Sequence, residues 1–118
     1  AFWMLTDPHE GLAVYRSDDG VTWRLNGRIL QQPGKRPEDG TPARHPSVAQ
    51  IGDRAFLFYH VEPNRPYPSP GPEQRTVEQK KSFLQVVELR VVDGRLTCDR
   101  NAKIFMSNSA PEQFSVSR

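Results

Sequence analysis

The sequence predicts an all-β fold of short antiparallel strands, and three observations carry that prediction. Its apolar runs are short, rich in β-branched and aromatic residues, and separated by Gly, Asp, Asn and Pro. The 118 residues include 11 prolines and 8 glycines, which implies many turns. No segment repeats its apolar residues with the helical period of about 3.6 over the length of a helix. We therefore expect strands throughout and no long helix.

Four strands are predicted in the first part of the chain. They cover residues 2–6, 11–17, 22–25 and 28–30. Asp18-Asp19-Gly20 favours a turn, because Asx side chains cap their own backbone and Gly tolerates positive φ. We expect Asp19 to cap this turn. Asn26-Gly27 is a strong turn dipeptide and predicts a tight turn between the third and fourth strands.

Four further strands are predicted after a loop at residues 31–43. They cover residues 44–50, 55–60, 82–92 and 95–99. Residues 61–81 contain five prolines and a charged tract, and long loops of this kind are usually functional or mobile. Asp93-Gly94 predicts the last hairpin turn. The tail at residues 106–118 is expected to fray.

Composition and charge exclude several classes of function. The 16 basic and 14 acidic residues are interspersed, and the net charge of +2 comes with no basic stripe that could follow a nucleic acid. The single cysteine, Cys98, excludes a disulfide framework, and the three dispersed histidines form no metal motif. No run of 18 apolar residues is present to span a membrane. We expect no nucleic-acid or membrane partner, no metal ligands and no cofactor, and a half-buried, apolar role for Cys98.

The two halves of the chain resemble each other. The aromatic-rich strands FWMLTD at residues 2–7 and FLFYHVE at residues 56–62 correspond, and each is followed by a branched strand and a Gly-containing turn. A unit of about 60 residues with up to four antiparallel strands has the size of a propeller blade. Two blades cannot close a ring, so their apolar flanks, including part of residues 2–5, would need further blades or self-association.

The opening of the chain fits this interpretation. It starts inside an apolar segment and without an initiating Met, so we interpret residue 1 as a cut through a longer protein. The cellular compartment stays open as a result, with secretion or the periplasm among the alternatives.

Two motifs resemble those of a known superfamily. Residues 17–23 (SDDGVTW) resemble the blade turn S-x-D-G-x-x-W of five-bladed β-propeller glycosidases, which include glycoside hydrolase family 43. Residues 43–48 (ARHPSV), followed by residues 53–60 (DRAFLFYH), are similar to the small-x-His-x-x-Val and aromatic-Tyr-His pattern of the final blade in that superfamily. The resemblance implies about two four-stranded antiparallel blades of a five-bladed β-propeller. It divides the chain into the end of one blade with its connecting loop, the following blade and a C-terminal tail, at residues 1–43, 44–105 and 106–118.

The resemblance also implies a position for His45, on the innermost strand of its blade and pointing into the central cavity. There His45 would contact a sugar hydroxyl, hold a cavity ion through water, or donate a proton as a catalytic acid. The alternative is a structural histidine that hydrogen-bonds a neighbouring loop. A cavity ion such as calcium in the parent protein stays open.

Three further residues are candidates for contact with carbohydrate. Arg44 would clamp a sugar carboxylate or hydroxyls with its planar fork, or would pair with Glu38 or Asp39 in the preceding loop. His60 ends an aromatic strand and is expected near the cavity. Trp3 would provide a stacking platform for a sugar, or would be a core residue within its apolar run.

The function implied by the resemblance is that of a glycoside hydrolase acting on poly- or oligosaccharide, with this chain supplying one wall of the substrate cavity. Hydrolysis generally requires two carboxyl groups about 5–10 Å apart, and those of the superfamily belong to blades outside this chain, so the chain alone is expected to be inactive. One alternative is a non-catalytic carbohydrate-binding or scaffold propeller. Another is a small β-sandwich in which the blade turn arises by chance.

Overall fold

The computed structural model describes residues 1–66 and 68–105, and within them the chain forms seven strands in two antiparallel sheets. The strands are β1 Phe2–Thr6, β2 Leu12–Ser17, β3 Arg24–Ile29, β4 Arg44–Ile51, β5 Arg54–Val61, β6 Phe83–Val92 and β7 Arg95–Thr97. The loop between β5 and β6 contains a 3₁₀ turn, Pro72–Gln74, and a single helical turn, α1 Val77–Lys80. The all-β prediction is confirmed. The predicted fraying of residues 106–118 falls outside the described residues.

The two sheets repeat one pattern of strands. The first has the order β1-β2-β3 and the second the order β4-β5-β6-β7, with every neighbouring pair antiparallel. The meander β1-β2-β3 therefore matches β5-β6-β7, which agrees with the correspondence between residues 2–7 and 56–62. Within the described residues, β4 has no counterpart in the first sheet, and it forms one edge of the second.

The predicted turn at Asn26-Gly27 is wrong, because both residues lie inside the single strand β3. Val14 pairs with Gly27 whereas Tyr15 pairs with Leu25, so Asn26 is an extra residue and forms a β-bulge. Gly27 has a φ of 136°, which a residue without a Cβ adopts at little cost. The freedom of φ that makes Asn-Gly a turn dipeptide serves a bulge here.

The two sheets share one hydrophobic core. It combines residues from both sheets and the loop before β4, and its members are Leu12, Val14, Leu30, Ala43, Leu57, Tyr59, Val61, Val87, Leu89 and Leu96. Burial of each Leu or Val side chain stabilises the fold by about 1.5–3 kcal/mol, so this cluster holds the sheets against each other. Cys98 packs at the edge of the core and is half-buried, as predicted, and burial raises the pKa of its thiol to about 11.

A buried network of charges holds the loop at residues 31–43 against the second sheet. The carboxylate of Asp39, which has no exposed surface, accepts hydrogen bonds from the Tyr59 hydroxyl at 3.1 Å and from Arg100 Nη2 at 2.8 Å. Gly34 N donates to the Asp39 carbonyl at 2.7 Å, and a Cβ on Gly34 would lie 2.5 Å from Asp39 Oδ2. Arg100 further donates to the backbone carbonyls of Leu30, Gln32 and Thr41. This network fixes the segment that leads into β4, where two of the predicted site residues begin the strand.

Candidate functional site

The ends of three strands meet in one polar cluster, formed by Asp7, Arg44, His45, His60, Glu62 and Arg65. Asp7 follows β1, Arg44 and His45 begin β4, and the other three lie at or after the end of β5. The backbone N–H of His45 donates to Asp7 Oδ2 at 3.0 Å, which joins the first sheet to the second. Predicted residues from different parts of the sequence are therefore brought together here.

His45 is exposed and lies in an unusual backbone conformation. Its φ is 53°, in the left-handed region, where a non-glycine residue costs about 1–3 kcal/mol. Arg44 pairs with His60 and Ser47 with Phe58, so the intervening residues form a β-bulge opposite Tyr59. The hydrogen bond from His45 N to Asp7 offsets part of this cost. Since bulges re-aim side chains, the bulge accounts for an imidazole directed to the surface rather than into the core.

The imidazole of His45 contacts that of His60. The ring centroids lie 5.7 Å apart with an angle of 61° between the planes, an edge-to-face arrangement. His60 is half-buried and His45 is exposed. Among the residues that the structure describes, neither imidazole has a hydrogen-bond partner, and the contact of His45 with the segment after β1 is made by its backbone N–H.

Arg44 is bound by two carboxylates. Its Nη1 lies 3.3 Å from Glu62 Oε2, and its Nε lies 3.7 Å from Asp7 Oδ2. The predicted pairing of Arg44 with Glu38 or Asp39 is wrong, because Asp39 is committed to the buried network and Arg44 begins β4 on the side of the strand ends. With its charge compensated on both sides, Arg44 holds the cluster together, and only its remaining N–H groups could reach a ligand.

Asp7, Glu62 and Arg65 were missed by the sequence reasoning. Glu62 Oε2 lies 2.6 Å from Arg65 Nη1, and Arg65 Nε donates to the Gln79 carbonyl at 3.1 Å, which ties α1 to the cluster. A signal for two of these residues was present, since the repeated strands FWMLTD and FLFYHVE both end on a carboxylate. Arg65 had no such signal, because its contact depends on the path of the loop.

The carboxylate of Asp7 is stabilised in its ionised form. Burial opposes ionisation, but the backbone N–H groups of His45 and His9, together with the charge of Arg44, outweigh it and lower the pKa of Asp7. At neutral pH Asp7 is therefore an acceptor of hydrogen bonds rather than a proton donor.

Trp3 lies apart from this cluster. It is partly buried against the shared core, and the Arg16 guanidinium lies 5.6 Å from the centroid of its ring. Trp3 and Asp7 are four positions apart along an extended segment, which corresponds to about 13 Å at the rise of a strand. The structure thus assigns Trp3 the core position and does not bring it to the histidines.

The turn at residues 17–23 is capped as predicted. Asp19 Oδ1 accepts hydrogen bonds from the backbone N–H groups of Val21 and Thr22, each at 2.8 Å, and from the Ser17 hydroxyl at 2.9 Å. These bonds to the Thr22 and Val21 backbone and to Ser17 lower the pKa of Asp19 to about 2. Ser17 is buried and Gly20 has a φ of 78°, so the S-x-D-G part of the motif is explained by local structure.

Within residues 1–66 and 68–105, no three His, Cys, Asp or Glu side chains are grouped so as to hold a metal ion. No helix in the same residues has the length and hydropathy that a membrane span requires.

No model of a known protein family matches the sequence, and a search of curated proteins finds no match. The family resemblance of the motifs therefore stays a prediction.

Proposed function

We propose that the two sheets are neighbouring blades of a carbohydrate-binding β-propeller, and that the cluster around His45 and His60 forms one wall of its saccharide cavity. Three features support this: the repeated meander, the shared core between the sheets, and the meeting of strand ends from both sheets at one polar surface. The observation that carries the proposal is the contact between the exposed His45 and the half-buried His60, whose ring centroids lie 5.7 Å apart beside the ion pairs of Arg44.

The chemistry of the pair suits a saccharide. A neutral imidazole offers one donor and one acceptor, and a sugar hydroxyl is both donor and acceptor, so two adjacent rings match a pair of neighbouring hydroxyls. The edge-to-face contact also leaves part of each ring available for packing against the apolar face of a sugar. The negative charges of Asp7 and Glu62 compensate the positive charges of Arg44 and Arg65, so the site presents no strong net charge to a neutral ligand.

Binding is favoured over catalysis for the residues of this chain. A glycosidase needs an acid whose proton is available at neutral pH and a second carboxylate about 5–10 Å away. The pKa of Asp7 is lowered, so its carboxyl group does not fit the role of the acid. Glu62 is engaged in ion pairs with Arg44 and Arg65. The second candidate function, a glycoside hydrolase to which His45 contributes as the acid, draws on the exposure of that ring alone.

The test is to titrate the full chain with xylotriose and with agarotetraose, two neutral probes, and to monitor its backbone resonances by NMR. We expect shifts at His45, His60 and their neighbours, and an affinity reduced about ten-fold in His45→Ala and in His60→Ala. Gln50→Ala, an exposed change further along β4, is the matched control and should leave the affinity unchanged.

Failure of both probes to shift the resonances of His45 and His60 would overturn the binding proposal. The catalytic alternative is separated by kinetics in the longer protein, where a positioned acid would make His45→Ala lose about 10²–10⁴-fold in kcat/KM with the fold intact. A higher KM with an unchanged kcat would identify His45 as a binding residue.

A further inference from the structure

An open cleft of about 420 Å³ lies on the opposite edge of the sheets, between the outer strands β3 and β7. Residues of the loop that follows β3 and of the segment that follows β7 also line it. Its lining includes the apolar residues Ile29 and Leu96 and the amide-bearing residues Gln31, Gln32 and Asn101. It is separated from the His45 cluster, which lies at the start of the other edge strand, β4.

The cleft has an excess of positive charge. Three guanidinium groups line it, those of Arg28, Arg95 and Arg100, whereas none of the described residues lining it is Asp or Glu. Arg100 is compensated from behind by Asp39 at 2.8 Å. Arg28 and Arg95 have no carboxylate partner within the described part of the chain. Two positive charges of the cleft therefore have no counterion among residues 1–66 and 68–105.

The β-bulge in β3 holds one of these charges in place. Arg95 Nη1 donates to the Asn26 carbonyl at 3.1 Å, the carbonyl of the extra residue of the bulge. The same nitrogen lies 3.3 Å from the position that a Cβ would take on Gly27, so the guanidinium lies across the glycine. A guanidinium carries five N–H donors, and this contact leaves others for a ligand. Arg95 thus reaches from the second sheet to the first, and its guanidinium group is oriented before any ligand binds.

We propose that this cleft binds a small ligand carrying an oxyanion, of the size of a sugar acid. A carboxylate, or a sulfate ester on the same kind of sugar, matches the planar forks of Arg28 and Arg95. The amide-bearing residues of the lining suit the hydroxyls of such a ligand, and the apolar residues of the lining suit its ring. The proposal does not depend on the function of the histidine pair, because the two sites share no residue.

The test uses the full chain and three probes: D-glucuronate, inorganic sulfate and D-glucose. We expect glucuronate and sulfate to shift the backbone resonances of Arg28 and Thr97, and D-glucose to leave them unchanged at the same concentration. Arg28→Gln should lower the affinity for glucuronate about ten-fold, and Arg95→Gln should lower it to a similar extent. The Arg28 side chain makes no hydrogen bond or ion pair with another described residue, and Gln keeps the strand backbone that pairs with Ala13, so this variant tests binding with little disturbance of the fold. Binding should also weaken as salt is raised, because charge attraction contributes.

Arg24→Gln is the matched control. Arg24 is an exposed arginine of the same strand, but it pairs with Asp18 and lies outside the cleft, so glucuronate affinity should not change. His45→Ala should likewise leave glucuronate affinity intact, which separates this proposal from that for the histidines. Absence of any glucuronate or sulfate shift, equal binding of D-glucose, or an equal loss in Arg24→Gln would each overturn it. Binding of sulfate without glucuronate would support an oxyanion site and assign it to sulfate esters.

Discussion

Asp39 is a carboxylate with no exposed surface, and it lies in a segment whose composition is that of a solvated loop. The sequence gives no sign of this burial, because the partners Tyr59 and Arg100 are 20 and 61 positions away. The Tyr59 hydroxyl is protonated in this setting, since burial, followed by the charge of Asp39, raises its pKa far above the ordinary value. The single carboxylate thus anchors a loop, a strand of the second sheet and the segment after β7.

We predict that Asp39→Asn destabilises the fold by about 3–5 kcal/mol, because it leaves the buried charge of Arg100 uncompensated. Urea unfolding followed by circular dichroism measures the change. Glu38→Gln, the exposed neighbour, is the control and should stay within about 0.5 kcal/mol of the wild type. A cost for Asp39→Asn no larger than that of Glu38→Gln would show that the network does not stabilise the loop.

At the level of the elements, local sequence patterns predicted the strands well but did not predict the long-range contacts between them. The strands β1, β2, β5 and β6 were predicted nearly to their ends, since alternation and β-branched residues act within a few positions. The bulge at Asn26-Gly27 was predicted as a turn, because the same dipeptide permits both, and only the pairing of β2 with β3 decides. His45 was predicted to point into a central cavity on the strength of a motif, and His60 to lie near that cavity; their ring contact is a finding of the structure. The carboxylates around Arg44 were not predicted, because their positions follow from how three strand ends meet.

The capped turn between β2 and β3 should make the stability of the fold depend on pH. The pKa of Asp19 is about 2 in the folded chain against an ordinary value of 3.8, so the ionised form is favoured by folding. This contribution is fully present above about pH 4 and is lost as the pH falls through 4 towards 2. Asp19→Asn keeps an acceptor oxygen but cannot be protonated in this range, so its stability should fall less between pH 5 and pH 2.

Urea unfolding at a series of pH values measures that difference between the variant and the wild type. Asp53→Asn, in the exposed turn between β4 and β5, accepts no described backbone hydrogen bond and should follow the wild-type curve. Parallel curves for Asp19→Asn and the wild type would contradict the prediction and leave the acid sensitivity to other groups.

For the whole molecule, the first sheet is apolar on both of its faces. Trp3 and Leu5 pack against the core, so Phe2 and Met4 point the other way, since side chains alternate along a strand. Met4 lies opposite Tyr15, and Tyr15 opposite Leu25, which makes an apolar row across three strands. Phe2 is 54% and Leu25 57% exposed, a face that a neighbouring blade would cover in the proposed propeller.

We therefore predict that the chain alone associates with itself through this face. Sedimentation velocity should show oligomers whose fraction grows with concentration, and the pair of changes Met4→Lys and Leu25→Lys should shift the population to monomers. Val77→Lys, at an apolar and still more exposed position in α1, is the control and should not change the distribution. A clean monomer of the wild type at high concentration would contradict this and favour a self-contained β-sandwich.

The raised pKa of Cys98 has a practical consequence. The thiolate is the form that reacts with alkylating and disulfide reagents, and a pKa of about 11 leaves little of it at pH 7 to 8. Cys98 follows β7, a strand of three residues at the margin of the second sheet, so its thiol becomes reactive chiefly when that margin detaches. The chain holds one cysteine, so the reagent reads a single position. The rate at which the Cys98 thiol is modified therefore reports how often the sheet margin opens, and the measurement requires no introduced cysteine.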